Sequence, residues 1–230
     1  MIRAVIFDID NTLYPYAPCD AAGTVAMREA FSAICGEAVD AAAFSALLQC
    51  AKRDVKAHTE GTAACHERLL YAQRLCEVTA HFSAENVLKL YHAYWDAYLA
   101  SMRAFPGAVQ LLRAIKANGV KLGCCTDLTA QIQMRKLVVL GLSDAADAIV
   151  TSEESGVEKP DPKPFRMVLE KLGVPASQAV MIGDDYQKDI CGATAIGMRA
   201  IEYSTSPGHP VAAGDYEALA AILKEWGACR

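Results

Sequence analysis

The feature of this sequence that most constrains its fold is a set of five short apolar runs separated by helical patterns. The first run, residues 2–7, is rich in β-branched residues and ends abruptly at Asp8. The other four are residues 120–125, 148–151, 179–182 and 199–203. A short, continuous apolar run is typical of a strand buried on both faces, as in a parallel sheet. The alternation with helices therefore predicts βαβ units and an α/β fold with an open parallel sheet.

Four segments between these runs have the pattern of a helix, and each is followed directly by a glycine. They are residues 107–118, 129–140, 162–172 and 186–196. A glycine at this position is a common helix C-terminal signal, because glycine adopts the left-handed backbone conformation there at little cost. We expect these helices to form the crossover connections that parallel strands require.

The interval between the first two apolar runs differs from the rest of the chain. It is rich in alanine, has no convincing strand, and contains four helical segments, residues 21–35, 41–58, 63–79 and 84–101. In the last segment Tyr91, Tyr94, Trp95 and Tyr98 share one helix face. We interpret this face as packing inside a bundle rather than as a substrate-stacking surface. The sequence therefore predicts an α/β core, residues 1–16 and 103–230, with an inserted helical domain, residues 17–102.

Charge and hydropathy exclude several classes of protein. The 230 residues include 22 Lys and Arg against 27 Asp and Glu, a net charge of −5, whereas a nucleic-acid-binding protein needs a basic surface. The longest stretches without these four residue types are 12 residues long, residues 172–183 among them, and a membrane-spanning helix needs about 20. The N-terminus lacks the long apolar segment of a secretory signal. We expect a soluble cytoplasmic protein, monomeric or homodimeric, that binds neither nucleic acid nor membrane.

Two acids, Asp8 and Asp10, follow the first predicted strand. If strand geometry persists to Asp10, a spacing of two places both side chains on the same face, at the strand end where open α/β sheets bind ligands. Two carboxylates this close repel each other unless a cation or a shared proton lies between them. An acidic turn closed by Asn11 and Thr12 explains the pair equally well at this point.

A hydroxyl and a cation follow at later strand ends. Thr126 comes directly after the second apolar run, where its hydroxyl could bind an anion together with backbone amides; a lone threonine there is more often a helix cap. Lys159 lies in a segment stiffened by Pro160 and Pro162, which suits a cation held against a phosphate. Taken alone, this segment favours a solvated lysine beside a helix start.

A second acidic cluster follows the fourth apolar run. Asp184 and Asp185 come directly after it, and Asp189 lies on the next predicted helix. Acids are favourable at a helix N-terminus, but that explains one acid better than three. If the sheet is parallel, all four strand ends converge on one edge. That edge then has carboxylates for a divalent metal, a nucleophile, an acid/base and donors for an anion.

Taken together, these motifs resemble those of the haloacid dehalogenase superfamily. The resemblance rests on residues 8–13, Thr126, Lys159 with Pro160, residues 183–185 and residues 189–193, in the order typical of that family. It implies a Rossmann-like core, and the helical insert resembles the family's helical cap domain.

The resemblance also implies phosphoryl transfer through an aspartyl phosphate. Asp8 is then the nucleophile, and Asp10 protonates the leaving oxygen before it takes a proton from water. Thr126 and the backbone amide of Asp127 bind the phosphoryl oxygens, and Lys159 offsets charge on both Asp8 and the phosphoryl group.

The implied metal is Mg²⁺. Its ligands are expected to be the Asp8 carboxylate, the Asp10 backbone carbonyl and Asp184, with Asp185 and Asp189 in indirect roles. Asp10 favours a phosphatase, since the dehalogenases of the family lack the second acid and the metal. Many relatives carry Asn and Gly where this chain has Asp127 and Leu128, so an extra acid lies near the phosphate unless its side chain points away.

The implied function is Mg²⁺-dependent hydrolysis of a small phosphomonoester, such as a nucleotide or a sugar phosphate. Three alternatives stay open: a sugar phosphomutase using the same aspartates, a phosphonate hydrolase with Lys52 or Lys56 as a Schiff-base lysine, and a non-catalytic binding protein that retains the fold. Substrate selection is expected from the insert. Its candidate residues are Arg53, His58, His66, Arg68, Tyr71 and Arg74.

Overall fold

A computed structural model describes residues 1–203, 211 and 215–228 of the chain. Internal contacts divide the chain into two units. The first consists of Met1–Pro15 and Arg103–Arg230, and the second of Tyr16–Met102. Tyr16, which the sequence analysis left with the α/β core, therefore begins the helical unit.

The first unit contains a five-stranded parallel sheet in the order β3-β2-β1-β4-β5. The strands are β1 Ala4–Phe7, β2 Lys121–Thr126, β3 Ala148–Thr151, β4 Ala179–Gly183 and β5 Arg199–Glu202. The central strands β1 and β4 are buried along their whole length, as expected of strands with helices on both faces. The predicted α/β class with a Rossmann-like parallel sheet is confirmed.

The register of the sheet brings the ends of its central strands to one level. Phe7, the last residue of β1, is aligned with Cys124 in β2 and with Ile182 in β4. The residues that follow these positions along each strand therefore lie side by side at one edge of the sheet.

Helices of the first unit connect the strands and cover the sheet. Asp161 caps helix α8, Pro162–Leu172, through a hydrogen bond from the Lys163 amide, with proline at the first helical position. Gly173 ends this helix in the left-handed conformation. A Cβ on Gly123 would lie 3.0 Å from side-chain atoms of Val168 and Leu172, so this glycine lets α8 approach β2. The helices are α5 Ala108–Ala117, α6 Ala130–Val139, α7 Ser152–Ser155, α8 Pro162–Leu172, α9 Gly192–Ala195 and α10 Tyr216–Glu225, with a 3₁₀ turn at Ala176–Gln178 and a π-helical turn at Tyr186–Cys191.

The second unit contains four α-helices, as predicted. They are α1 Tyr16–Cys35, α2 Ala41–Thr59, α3 Arg68–Val78 and α4 Ala84–Ser101, with a 3₁₀ turn at Ala63–His66. The aromatic face of α4 is buried, and the Tyr94 and Trp95 rings pack edge to face with centroids 5.0 Å apart. Helix α1 begins five residues earlier than predicted, because Pro18 is tolerated in a first turn whose amides need no helical partner.

None of the helices in the described part of the chain is long and apolar enough to span a membrane.

Candidate active site

Three strand ends supply the centre of the candidate site. Asp8 follows β1, Thr126 ends β2, and Asp184 follows β4. The Asp8 backbone amide donates to the Ile182 carbonyl at 2.8 Å, which continues the sheet one residue beyond β1. This places the Asp8 side chain at the carboxyl edge of the sheet, where α/β proteins of this topology bind ligands.

Lys159 is buried at the centre of this edge, with 4% of its surface exposed. Its Nζ lies 2.8 Å from Asp8 Oδ1, 2.5 Å from Asp189 Oδ1 and 3.1 Å from the Cys125 carbonyl oxygen. Burial lowers the pKa of Lys159, but Asp189 and Asp8 outweigh this and hold it well above its ordinary value. The lysine is therefore a fixed cation with three acceptors, as a buried ammonium group requires.

Asp189 owes its inward position to local backbone features. It lies in the π-helical turn, whose first amides are capped by the Asp185 side chain, and π turns of this kind are frequent at functional sites. Its Oδ2 accepts from the Asp185 amide at 3.1 Å. A Cβ on Gly183 would lie 2.1 Å from that same oxygen, so only glycine at the end of β4 leaves room for the carboxylate.

Three carboxylates converge at this edge. Asp8, Asp184 and Asp189 each offer one oxygen, and these atoms lie within 4.8 Å of one another. Burial raises the pKa of the Asp8 carboxyl well above its ordinary value; Lys159 opposes the shift and the neighbouring acids add to it. Burial also raises the pKa of Asp184 to about 6. The Lys159 ammonium offsets only one of the three negative charges, and the carboxylate oxygens are the hard ligands that Mg²⁺ prefers.

Asp10 has a different environment. Its Oδ1 accepts from Lys136 Nζ at 2.5 Å and from the Tyr14 hydroxyl, and its Oδ2 lies 3.3 Å from Gln133 Nε2. Burial alone would raise the pKa of Asp10, but the Lys136 ammonium and the three hydrogen bonds hold it below its ordinary value. The two aspartates of the first motif are therefore held by different lysines.

Thr126 and Asp127 are fixed by side chains from other elements. Gln133 Nε2 donates to Thr126 Oγ1 at 2.8 Å and to the Asp127 carbonyl at 2.7 Å. Asp127 Oδ1 accepts from the Lys159 backbone amide at 3.1 Å, and its Oδ2 from Lys188 Nζ at 2.8 Å. The extra acid is thus paired with Lys188 and contributes to holding the Lys159 segment.

The structure brings the sequence-predicted residues of the core to one edge of the sheet, whereas four polar residues of this edge were missed. Three of them contact Asp10, namely Tyr14, Gln133 and Lys136, and the fourth, Lys188, contacts Asp127. Polar residues on predicted helices give no signal of burial without a structure. The catalytic and metal-binding roles of the predicted residues stay predictions.

Among the candidates of the helical unit, Arg68 has the most contacts. It is 6% exposed, and Nη2 lies 2.5 Å from the Tyr16 hydroxyl and 3.5 Å from Asp20 Oδ1. Its guanidinium also lies over the Tyr71, Tyr94 and Trp95 rings. Arg68 and Tyr71 are thus buried inside this unit, which favours a structural role for both.

The other candidates of this unit are closer to its surface. Arg74 pairs with Asp54 at 2.9 Å, and His66 is half-buried. Lys52 is half-buried over the Tyr71 ring, and burial lowers its pKa. The remaining three are exposed: Arg53, Lys56 and His58.

Comparison with known proteins gives consistent matches over most of the chain. Residues 2–197 match the model of a family described as haloacid dehalogenase-like hydrolase. The ribulose-1,5-bisphosphate 5-phosphatase of Halopiger xanaduensis is 44% identical over 207 residues, which are 90% of this chain and 86% of that protein. The glyceraldehyde 3-phosphate phosphatase of Methanopyrus kandleri is 33% identical over 198 residues, 86% of this chain and 82% of that protein. The crystal structure of a HAD phosphatase from Thermococcus onnurineus superposes with a TM-score of 0.73, at 25% identity and covering 100% of both chains.

Proposed function

The chain belongs to the haloacid dehalogenase-like hydrolase family, and from this premise we propose that it is a Mg²⁺-dependent phosphatase acting through an aspartyl phosphate on Asp8. The predicted family and enzyme class agree with relatives that are named as phosphatases. The observation that supports the mechanism best is the buried Asp8 carboxylate, with Lys159 Nζ 2.8 Å from one of its oxygens.

The charge balance of the acid cluster supports a divalent cation. Three carboxylates share one buried ammonium group, that of Lys159. The proposed ligands are the carboxylates of Asp8 and Asp184 with the backbone carbonyl of Asp10. When bound, Mg²⁺ supplies positive charge that keeps the carboxylates ionised and offsets the charge of the phosphoryl oxygens.

The chemical steps are assigned to two aspartates. Asp8 Oδ2 attacks phosphorus while Lys159 holds Oδ1, and the ester P–O bond breaks. Because the Lys136 ammonium keeps Asp10 ionised in the free protein, Asp10 takes up a proton from solvent as the ester binds and gives that proton to the leaving oxygen. Water then attacks the aspartyl phosphate, Asp10 takes the proton, and inorganic phosphate leaves with Asp8 restored. Thr126 and the Asp127 amide bind the equatorial oxygens throughout, since phosphoryl transfer depends mainly on positioning and charge neutralisation.

The substrate class we propose is a short phosphorylated carbohydrate. Two relatives that align over most of this chain are named for ribulose 1,5-bisphosphate and glyceraldehyde 3-phosphate, which share a phosphomonoester on a short hydroxylated ketone or aldehyde. The groups proposed at the sheet edge contact only the phosphoryl group, which every phosphomonoester shares. Discrimination between substrates must therefore come from other residues.

We assign that discrimination to the helical unit. Because Arg68 is buried there, its more exposed candidates Arg53, His58 and Arg74 are the side chains to replace by alanine. The ratio of kcat/KM for the best sugar phosphate to that for an aryl phosphate should change in at least one variant. A hydrogen bond to a charged group contributes about 1.5–3 kcal/mol, so its loss should change this ratio by about 10- to 100-fold. An unchanged ratio in all three variants would contradict this assignment.

The test of the function measures phosphate release from a panel of sugar phosphates, nucleotides and an aryl phosphate. Turnover should require Mg²⁺ and stop in excess chelator. In Asp8→Asn, kcat should fall by more than about 10-fold, which corresponds to about 1.4 kcal/mol in the activation free energy, while the melting curve stays that of a folded protein. Asp144→Asn, at an exposed position, should keep wild-type activity. Mass spectrometry of acid-quenched enzyme should locate the phosphoryl group on the peptide containing Asp8.

The same assays separate the alternative functions. A phosphomutase would isomerise a sugar phosphate without releasing phosphate, and a phosphonate hydrolase would lose activity when Lys52 or Lys56 is replaced. A binding protein would turn over none of the panel. Chloride release from a 2-chloro acid, with no phosphate release from any ester, would indicate a dehalogenase and refute the proposal.

A further inference from the structure

Helix α6 buries two polar residues, Gln133 and Lys136, beside the apolar Ile132 and Leu137. Gln133 and Lys136 are fully buried, at 0% exposure, while Met134 and Val138 on the same helix are 45% and 64% exposed. Lysine is almost never fully buried unless its ammonium group is paired, and burying an ion costs free energy that apolar residues do not incur. This helix buries a lysine and an amide although it leaves large apolar residues exposed. The two buried polar side chains must therefore be stabilised by a polar partner.

That partner is Asp10. The Lys136 Nζ lies 2.5 Å from Asp10 Oδ1 and 5.8 Å from the centre of the Tyr14 ring, and the Tyr14 hydroxyl donates to the same oxygen. Gln133 lies 3.3 Å from Oδ2 and also donates to Thr126. Asp10 Oδ1 thus receives two donors, whereas Oδ2 has a single long contact and is the oxygen best able to exchange a proton with a reacting group.

The amide of Gln133 can have only one orientation in this network. Its Nε2 faces three acceptors: Asp10 Oδ2, Thr126 Oγ1 and the Asp127 carbonyl. Exchanging the nitrogen and oxygen of the amide would set an acceptor against the Asp10 carboxylate and the carbonyl. The Asp10 carboxylate is therefore fixed from both of its oxygens, and α6 ties it to the threonine of the second motif.

We propose that Lys136 and Tyr14 are positioning residues for Asp10. They hold Oδ1 of Asp10 so that its other oxygen, Oδ2, is directed at the leaving oxygen of the substrate. The inference rests on the acid/base role proposed for Asp10. Lys136 stays protonated throughout: the proton given to the leaving oxygen comes from Asp10, and the proton taken from water returns to Asp10. Neither Lys136 nor Tyr14 bonds to phosphorus or to substrate.

The test compares phosphate esters that differ in how much they need an acid. A dinitrophenyl leaving group departs without a proton, whereas an alkyl leaving group needs one. We measure kcat/KM for dinitrophenyl, phenyl and glyceryl phosphates, since this constant reports the steps up to phosphorylation of Asp8. In Lys136→Met and Tyr14→Phe, kcat/KM should fall about 10- to 100-fold for glyceryl phosphate and less than about 3-fold for dinitrophenyl phosphate. Lys171→Met, which breaks an exposed ion pair with Glu154, serves as the matched control.

The Asp10→Asn background shows through which group Lys136 acts. In Asp10→Asn, kcat/KM should also depend steeply on the leaving group, with a much larger loss for glyceryl phosphate than for dinitrophenyl phosphate. Adding Lys136→Met to this variant should lower kcat/KM no further. An additional loss of equal size for all three esters would mean that Lys136 contacts the phosphoryl group, which overturns the inference.

Failure of this inference differs from failure of the proposed function. The positioning role alone would be overturned if kcat/KM depended steeply on the leaving group in Asp10→Asn but depended on it as in the wild type in Lys136→Met and Tyr14→Phe. A wild-type dependence in Asp10→Asn would overturn both. Should Lys136→Met not fold, Tyr14→Phe removes only a hydroxyl and decides the question.

Discussion

Replacing Gly183 by alanine should disrupt the site without touching a proposed catalytic group. The backbone of Gly183 is not in the left-handed region, so the effect of the added methyl is steric. A Cβ there would lie 2.1 Å from Asp189 Oδ2 and 2.6 Å from Asp189 Cβ, whereas ordinary contact begins at 3.4 Å. The carboxylate must therefore move by about 1.3 Å, the difference between these contacts to Oδ2. Its 2.5 Å bond to Lys159 then lengthens beyond hydrogen-bond range.

Two costs add in this variant. Overpacking a buried position costs about 1–3 kcal/mol, and a buried polar group left without its partner costs about 1–3 kcal/mol more. We expect a loss of about 3 kcal/mol in the free energy of unfolding, which lowers Tm by about 6–12 °C for a chain of this size. Because Lys159 loses its anchor beside Asp8, kcat should fall by more than about 10-fold as well.

Urea unfolding and steady-state kinetics measure these losses, with Gly123→Ala as the matched control. Its added Cβ would meet side-chain carbons of Val168 and Leu172 at 3.0 Å and of Ile6 at 3.3 Å. This variant should therefore cost about 1 kcal/mol and leave kcat unchanged. In an Asp189→Gly background, which removes the clashing atoms, Gly183→Ala should cost about 2 kcal/mol less than in the wild type. Additive losses, or equal losses for the two glycine variants, would refute the steric argument.

Two further predictions concern pairs of charges. Burial raises the pKa of Asp20, but the Tyr94 hydroxyl and Arg68 outweigh it and hold the pKa below its ordinary value. The stabilisation is therefore complete above the unfolded pKa of about 3.9 and is lost as pH falls through the lower, folded value. The free energies of unfolding of wild type and Asp20→Asn, measured in urea, should differ most near pH 6 and begin to converge as pH falls below about 4. Asp127→Ala should lower kcat/KM and Tm more than Asp127→Asn, because asparagine still accepts from the Lys159 amide; equal effects of the two variants would show that the pair with Lys188 matters instead.

The sheet could be predicted from the sequence because buried parallel strands have a simple pattern. The run 148–151 and the helix 162–172 were predicted at the bounds the structure has. The segment 186–196 was predicted as one helix, but it contains a π-helical turn followed by α9. The local sequence pattern could not reveal this turn, because Asp189 within it contacts Lys159, a residue distant in sequence.

Other differences have equally local causes. The predicted helix 63–79 is a 3₁₀ turn followed by α3, because the Glu67 side chain caps the amide of Leu69 and starts a new helix there. Helix α10 was not predicted, although Asp215 caps it and Leu219 and Leu223 bury one face. A pattern of ten residues, outside the βαβ units that the five apolar runs define, was too weak to predict a helix.

The charges of the site show most clearly what a sequence cannot supply. Motif order indicated the acids and one lysine, but the partner of each acid depends on which helix faces the sheet edge. In the structure Asp10 pairs with Lys136 and Asp127 pairs with Lys188. Lys159 is shared between the remaining buried acids Asp8 and Asp189.

Asp184 has no ion pair within residues 1–203, and its side chain is hydrogen-bonded to the Asn11 side chain. Asn11 has a φ of 62°, a left-handed conformation that asparagine tolerates better than most residues. A neutral amide stabilises a carboxylate less than a cation does, and burial raises the pKa of Asp184 to about 6. Negative charge is thus least offset where Asp184 lies near Asp8. This is the position at which we propose that Mg²⁺ binds.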